Sequence, residues 1–315
     1  MSAGQDVVTT TVGVADGRVI VCDGKTGTIA VTAAPSDPHS REARTVQGPW
    51  PMIPVHLRNV PRLRVAALGD SVTVGVGDHD HRRNPGGWAR HLSELLGAEM
   101  LCVGKNGSRG RDVAGWQLAA ALDFSPHVTL ISVGGNDVLR SNFNPTGLYR
   151  DLRRTIATLR AHGSAVVVME LPDIRRTAPI PGRAREVLAG RADVAVAALR
   201  KAAEDAGAHL IGLRSRPEIY HRDNWHFDRM HPGPRGHRLL AELALERLAL
   251  PPRQEVPLPD RNNWSWYRQA GWMLRHGTPW FLRRSIDLLP ALVWLILFAR
   301  TPTFEADAVG EAVTP

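Results

Sequence analysis

Between residues 63 and 250, short apolar runs rich in β-branched side chains alternate with longer segments of helical periodicity, and no other feature limits this chain's fold so sharply. The runs lie at 63–68, 99–103, 127–133, 164–171 and 209–213. Each is apolar along its length rather than at every second position, so each strand needs cover on both faces, as in a parallel sheet. The intervening segments supply that cover. Across 149–162, Leu148, Leu152, Ile156 and Leu159 recur at helical spacing, and Gly163 stands at the stop. A last helix carries Leu239, Leu240, Leu243 and Leu248. Strand and helix in strict alternation make βαβ units, so the expected class is α/β with helices on both sides of a parallel sheet.

The flanks differ in character. Residues 1–60 are poor in helical pattern and carry Pro-containing stretches at 35–38 and 48–54. Two apolar runs at 19–22 and 28–32 flank the Gly-containing loop 23–27, which suits a hairpin. After Leu250 a Pro-containing linker leads into a tail holding Trp264, Trp266, Trp272, Trp280 and Trp294 with Arg268, Arg275, Arg283 and Arg284. The expected division is an extension over 1–60, a catalytic domain over 61–250 and a Trp/Arg-rich tail over 251–315. Within the tail, the apolar run 288–299 would cover only about 18 Å of a roughly 30 Å hydrocarbon layer as a helix, so it should not span a bilayer. Two readings of 262–300 stay open: a helix packed on the catalytic domain or a partner, or one lying at a membrane surface.

The formal charge of +8 raises the question of nucleic acid or anionic lipid as partner. The positive residues are mostly Arg spread along the chain, as at 153–154 and 183–185, and no nucleic-acid module accompanies them, so no nucleic-acid partner is expected. Cys22 and Cys102, the two cysteines, have neither metal-ligand nor redox-motif spacing, and Cys102 reads as a small core residue of a strand. Residues 1–10 lack the basic start and apolar stretch of a secretory signal, so a cytoplasmic location is the expectation.

Four segments carry chemistry. Gly69-Asp70-Ser71 directly follows the first strand of the α/β region, where ligands of such sheets bind. A serine there is either a nucleophile awaiting a base or the cap of a helix. Asn106-Gly107-Ser108-Arg109-Gly110 follows the second strand, and a glycine at such a turn lets its amide approach a ligand, although a simple turn has the same look. Gly134-Gly135-Asn136-Asp137 ends the third strand; Asn136 offers an amide donor to an oxyanion, or closes an Asx turn. Asp228-Arg229-Met230-His231 precedes the last helix, and its three-residue offset on a tight turn lets the carboxylate hold one imidazole nitrogen while the other accepts a serine proton. Singly, each segment has a bland explanation. Together, in this order and at these places, they should meet on one rim.

From about residue 63 to 250 the chain resembles the SGNH, or GDSL, hydrolase family, through Gly-Asp-Ser at 69–71, the glycine block ending in Gly110, Gly-Gly-Asn-Asp at 134–137 and Asp-x-x-His at 228–231. The name-giving residues map onto Ser71, Gly110, Asn136 and His231. The resemblance implies a three-layer α/β/α, flavodoxin-like fold with five parallel strands in order 2-1-3-4-5. It implies hydrolysis of ester, thioester or O-acyl bonds in a small-molecule substrate with no metal or other cofactor. It also implies an oxyanion hole made of the Ser71 and Gly110 backbone N–H groups and the Asn136 side chain. Val72 stands where the family's name expects leucine, a change that leaves the chemistry intact.

Other residues invite competing readings. Asp78-His79-Asp80-His81 looks like a metal cluster but reads better as an exposed charged loop. A metal-dependent phosphoesterase built on Asp70, Asp78 and His79 is the rival within enzymes, and a membrane-surface binding module with an idle site is the rival outside them. His237 is expected on the helix surface or just behind the site. Asp173 is expected at the rim, touching substrate or closing a turn, while loops 141–147 and 174–182 should shape the pockets.

Overall fold

The computed structural model describes residues 9–15, 18–23, 29–33, 56–78, 85–177, 182–259, 271 and 301–304. The chain divides into two units, residues 1–52 and 53–315. In the first, β1 (Thr9–Ala15), β2 (Arg18–Asp23) and β3 (Ile29–Ala33) form an antiparallel sheet in that order. The β2 and β3 pairing runs from Arg18 opposite Ala33 to Cys22 opposite Ile29, joining the two apolar runs noted in the sequence. Their connection, residues 24–28, lies outside the described residues.

The second unit holds a five-stranded parallel sheet of β4 (Arg64–Gly69), β5 (Glu99–Cys102), β6 (Val128–Ser132), β7 (Ala165–Met169) and β8 (His209–Ile211). The order is β5-β4-β6-β7-β8, with every pair parallel. Counted within the sheet, this is the expected 2-1-3-4-5. All five strands fall inside or within a residue of the apolar runs, because those runs are the segments that need cover on both faces.

Around the sheet lie α1 (His56–Asn59), α2 (Ser71–Val74), α3 (Gly87–Leu96), α4 (Gly110–Asp112), α5 (Leu118–Phe124), α6 (Gly135–Val138), α7 (Pro145–Ala161), α8 (Ile174–Thr177), α9 (Gly182–Asp205) and α10 (Pro234–Leu248). A π-helical turn, Val113–Gln117, joins α4 to α5. Strand side chains alternate between two cores. Val65, Ala67, Leu130 and Val167 join Trp88, Leu92 and Leu96 of α3 and Leu240 and Ala244 of α10. Ala66, Leu68, Ile131, Val166 and Val168 join Leu152, Ile156 and Leu159 of α7 and Ala195 and Leu199 of α9. This is the three-layer α/β/α arrangement. Each fully buried Leu, Ile or Val stabilises by about 1.5–3 kcal/mol relative to exposure, so the two apolar layers fix which way every strand faces.

Helix α7 starts four residues before the expected segment. Asn144 accepts a hydrogen bond from the Gly147 N–H at 2.9 Å, and Pro145 occupies the first helical position, where its missing N–H costs nothing. Cys102 is a free, partly buried cysteine packed against the first core. Among the described residues no helix is long and apolar enough to cross a membrane. The apolar run 288–299 and the tail tryptophans lie outside the described residues.

Candidate active site

At the carboxyl end of β4 the chain turns sharply at Gly69, whose φ of 141° is a region few side-chain-bearing residues adopt. A Cβ there would also overlap the Ser132 carbonyl oxygen of the neighbouring strand. The turn delivers Ser71 to the first position of α2, with Asp70 as the cap, its Oδ1 accepting from the Val72 N–H at 3.1 Å. The cap is therefore the aspartate, which leaves the serine hydroxyl free for other work.

That hydroxyl lies 2.9 Å from His231 Nε2. His231 Nδ1 lies 2.8 Å from Asp228 Oδ2. With Nδ1 protonated and donating to the carboxylate, Nε2 keeps its lone pair for the serine O–H. The loop bearing this pair is pinned at its base, where the His226 N–H donates to the His231 carbonyl at 2.9 Å and the Gly233 N–H to that of Asn224 at 2.8 Å. Inside it, Asp228 Oδ1 accepts from the Met230 and His231 N–H groups at 2.9 and 3.0 Å, and Arg229 takes the left-handed conformation with φ 58°. Burial alone would raise the Asp228 carboxyl, but the hydrogen bonds and charges of His226 and His231 outweigh it and hold the group well below the usual carboxylate range. At neutral pH it is an anion.

The other two segments arrive at the same rim. Gly110 opens α4 after β5, and its N–H donates to the Asp137 carboxylate at 3.2 and 3.4 Å. Asn136, in α6 after β6, points its Nδ2 at the Ser108 carbonyl at 3.1 Å and at Asp70 Oδ2 at 3.4 Å. Both donors thus have acceptors of the protein's own in the free enzyme. Burial pushes the Asp70 carboxyl up to about 6 against hydrogen bonds and the His231 charge that lower it. Burial also takes Asp137 to about 7, the Gly110 N–H and Arg109 pulling the other way.

The profile of the GDSL-like lipase/acylhydrolase family matches residues 67–239, more than half of the chain. The chain belongs to that family. As a GDSL-family member it is an enzyme acting on ester bonds. No match is found among curated proteins. Solved structures similar to it include an α/β hydrolase from the metagenome of Lake Arreo, Spain, at 19% identity and TM-score 0.47, covering 59% of this chain and 95% of that one. A psychrotrophic esterase, EstA from Pseudoalteromonas sp., matches at 18% identity and TM-score 0.46, covering 59% and 97%. The acetylxylan esterase Axe2 from Geobacillus stearothermophilus matches at 17% identity and TM-score 0.47, covering 60% and 94%.

Several expectations change in this GDSL-family chain. Asp78 is not exposed: it is buried, with its Oδ2 2.5 Å from Arg90 Nη2 and 3.0 Å from His91 Nε2. A carboxylate so close to an Arg on the following helix belongs to the fold, and residues 79–81 lie outside the described residues. Among the described residues no group of three His, Cys, Asp or Glu side chains is placed to hold a metal ion. Asp78 is held by Arg90 and His91 and Asp70 caps α2 through Oδ1, while His79, the third residue of the phosphoesterase reading, lies outside the described residues. Of the two places expected for His237, on the helix surface or just behind the site, it takes the second. It is fully buried on α10, its Nε2 3.2 Å from the Val76 carbonyl just after α2, and burial lowers its pKa to about 4. As a neutral donor it ties the last helix to the Ser71 turn. Asp173 accepts from the Arg175 N–H at 3.0 Å and closes a turn.

Two residues near the site escaped sequence reading. Gln117 is fully buried, and its side-chain amide pairs with both backbone groups of Gly69: the Gly69 N–H donates to Oε1 at 2.7 Å, and Nε2 donates to the Gly69 carbonyl at 3.1 Å. The same Nε2 lies 3.1 Å from Ser108 Oγ, so one side chain joins the nucleophile turn to the Gly110 loop. His226 is buried with Nδ1 3.2 Å from Asp228 Oδ2, a second imidazole on the carboxylate that holds His231. Neither had a signal in one sequence: a glutamine in a helical stretch reads as solvent-facing, and a histidine two residues before Asp228 reads as loop.

Proposed function

We propose that the protein hydrolyses small-molecule carboxylic or O-acyl esters through an acyl-enzyme, with Ser71 as nucleophile, His231 as general base and Asp228 as its anchor. One observation carries this reading: the Ser71 Oγ to His231 Nε2 to Asp228 Oδ2 relay, with contacts of 2.9 and 2.8 Å. In the first half-reaction Oγ attacks the substrate carbonyl carbon while its proton passes to Nε2. The tetrahedral intermediate then collapses, the ester oxygen leaving with that proton. In the second, water attacks the acyl carbon, gives its proton to Nε2, and the acid is released as Oγ regains a proton.

The oxyanion of each intermediate is assigned to the N–H groups of Ser71 and Gly110 and to the Asn136 side-chain amide, donors that lower such barriers by several kcal/mol when preorganised. Gly110 must exchange its bond to Asp137 for one to substrate. The catalytic unit is taken as residues 61–250, with 1–60 and 251–315 as appendages. Beyond the segment 262–300, Phe304 packs on that unit, its ring 5.8 Å from that of Tyr149 on α7.

The test is hydrolysis of short p-nitrophenyl esters. The expected outcome is a burst of one p-nitrophenolate per Ser71 and a His231→Ala loss on the order of 10⁴-fold in kcat. A His231→Ala variant with the parent rate overturns the assignment.

A further inference from the structure

Arg191 is one of the bulkiest fully buried side chains of the second unit, and it carries a charge. It stands midway along α9, only 2% exposed, in a stretch whose Leu188, Ala192 and Ala195 belong to the second core. Burial pulls its pKa down, and among the described residues no carboxylate pulls the other way. A buried cation without an anion is costly, and an apolar side chain would pack at the same place without that cost. The charge therefore calls for an explanation in what it holds.

It holds a short piece of backbone. Nε donates to the Val138 carbonyl at 2.8 Å and Nη2 to the Arg140 carbonyl, and the centre of the Phe143 ring lies 5.1 Å from the guanidinium carbon. Val138 closes α6, the element that carries Asn136. Four residues make little more than one helical turn, which is not stable by itself in water. Gly134 gives this turn no side-chain cap at its start, and it has no basic residue of its own at its end. Arg191 supplies from α9 the cation that the negative end of a helix attracts. Its planar fork reaches two carbonyls two residues apart, so the turn is fixed in direction as well as in place.

From the same turn, Asn136 Nδ2 donates to the Ser108 carbonyl at 3.1 Å, and the Asp137 carboxylate accepts the Gly110 N–H at 3.2 Å. A donor serves an oxyanion only if it is held to within about 0.5 Å of its working place by neighbours that are themselves locked. A long helix packed in the core is such a neighbour. We propose that Arg191 is a positioning residue for the Asn136 oxyanion donor, acting through the α6 backbone. The inference rests on the Ser71 esterase reading with Asn136 in the oxyanion hole, and adds to it a residue of α9.

The experiment is a double-mutant cycle on p-nitrophenyl acetate hydrolysis, with Arg191→Lys and Arg191→Met each made in the parent and in Asn136→Ala. Lysine keeps the cation but offers a point instead of a fork, and methionine removes both. In the parent, Arg191→Lys should lower kcat by about tenfold to a hundredfold and Arg191→Met by at least as much, with KM moving less than about threefold. In Asn136→Ala the same substitutions should change kcat by less than about twofold, because the donor they misplace is gone. An equal loss of kcat in both backgrounds, or an Arg191→Met enzyme as fast as the parent, overturns the inference and leaves the esterase reading standing. Failure of both Arg191 variants to fold, read by circular dichroism, overturns it too, since the residue then serves the fold as a whole. If Asn136→Ala is itself as fast as the parent, the oxyanion assignment falls and takes the inference with it. If the parent does not hydrolyse the ester, the esterase reading falls as well.

Discussion

The carboxylates around Ser71 show how environment divides like groups between unlike tasks. Asp228 sits between two imidazoles and stays ionised, whereas Asp70, one residue before Ser71, is buried and raised from 3.8 to about 6. A carboxyl whose folded-state pKa is raised is protonated more readily in the folded chain than in the unfolded one. Its contribution to stability is therefore full below the unfolded value of 3.8 and is lost as pH rises through about 6. Asp70→Asn keeps the oxygen that accepts the Val72 N–H and removes the titration. Relative to the parent, this variant should gain about 2–3 kcal/mol of stability between pH 4 and pH 7.5, read from urea midpoints at the two pH values. An unchanged difference between the two would mean that Asp70 is not protonated in the fold.

Among the elements, the nucleophile turn is held from three sides: by β6 through the Asp70 N–H to the Ser132 carbonyl at 3.2 Å, by α10 through His237, and by the π-helical turn through Gln117. A regular helix through Val113–Gln117 would carry Gln117 at another angle, and Gly115, at φ −99° and ψ −112°, is where the helical path breaks. Gln117→Leu keeps the volume roughly and leaves the buried Gly69 N–H without a partner, while the Gly69 carbonyl keeps the Lys105 N–H at 3.1 Å. At about 1–3 kcal/mol for an orphaned buried group, the unfolding free energy should drop by about 1–3 kcal/mol, with kcat falling more than KM rises. A Gln117→Leu enzyme as stable and as fast as the parent would remove Gln117 from the account. The strands were readable in the sequence because cover on both faces is a local, compositional demand. The Gln117 clamp was not, since it depends on a helix defect and on two segments 48 residues apart.

For the whole molecule, what the sequence made legible was the order of the parts: strands, helices, and four polar segments at strand ends or before the last helix. Parallel topology then does the rest, because every strand points its carboxyl end the same way and the four segments have one rim on which to gather. Burial was less legible. Asp78 and His237 carry side chains that usually face water, and only their tertiary partners, Arg90 and His91 for the one and the Val76 carbonyl for the other, reverse that expectation. The tail contributes at this scale too. Phe304 packs against the second core, partly buried, so Phe304→Ala should lower the unfolding free energy by about 1–2 kcal/mol, measured by chemical denaturation. No change would detach this part of the tail from the catalytic unit.

The proposed mechanism rests on one activated hydroxyl. The decisive measurement is the site of covalent capture by a fluorophosphonate, mapped by peptide mass spectrometry on the parent enzyme and on Ser71→Ala and His231→Ala. The account predicts a single adduct on Ser71 in the parent, none in Ser71→Ala, and labelling slowed by orders of magnitude in His231→Ala. An adduct that persists in Ser71→Ala at the parent rate would contradict it.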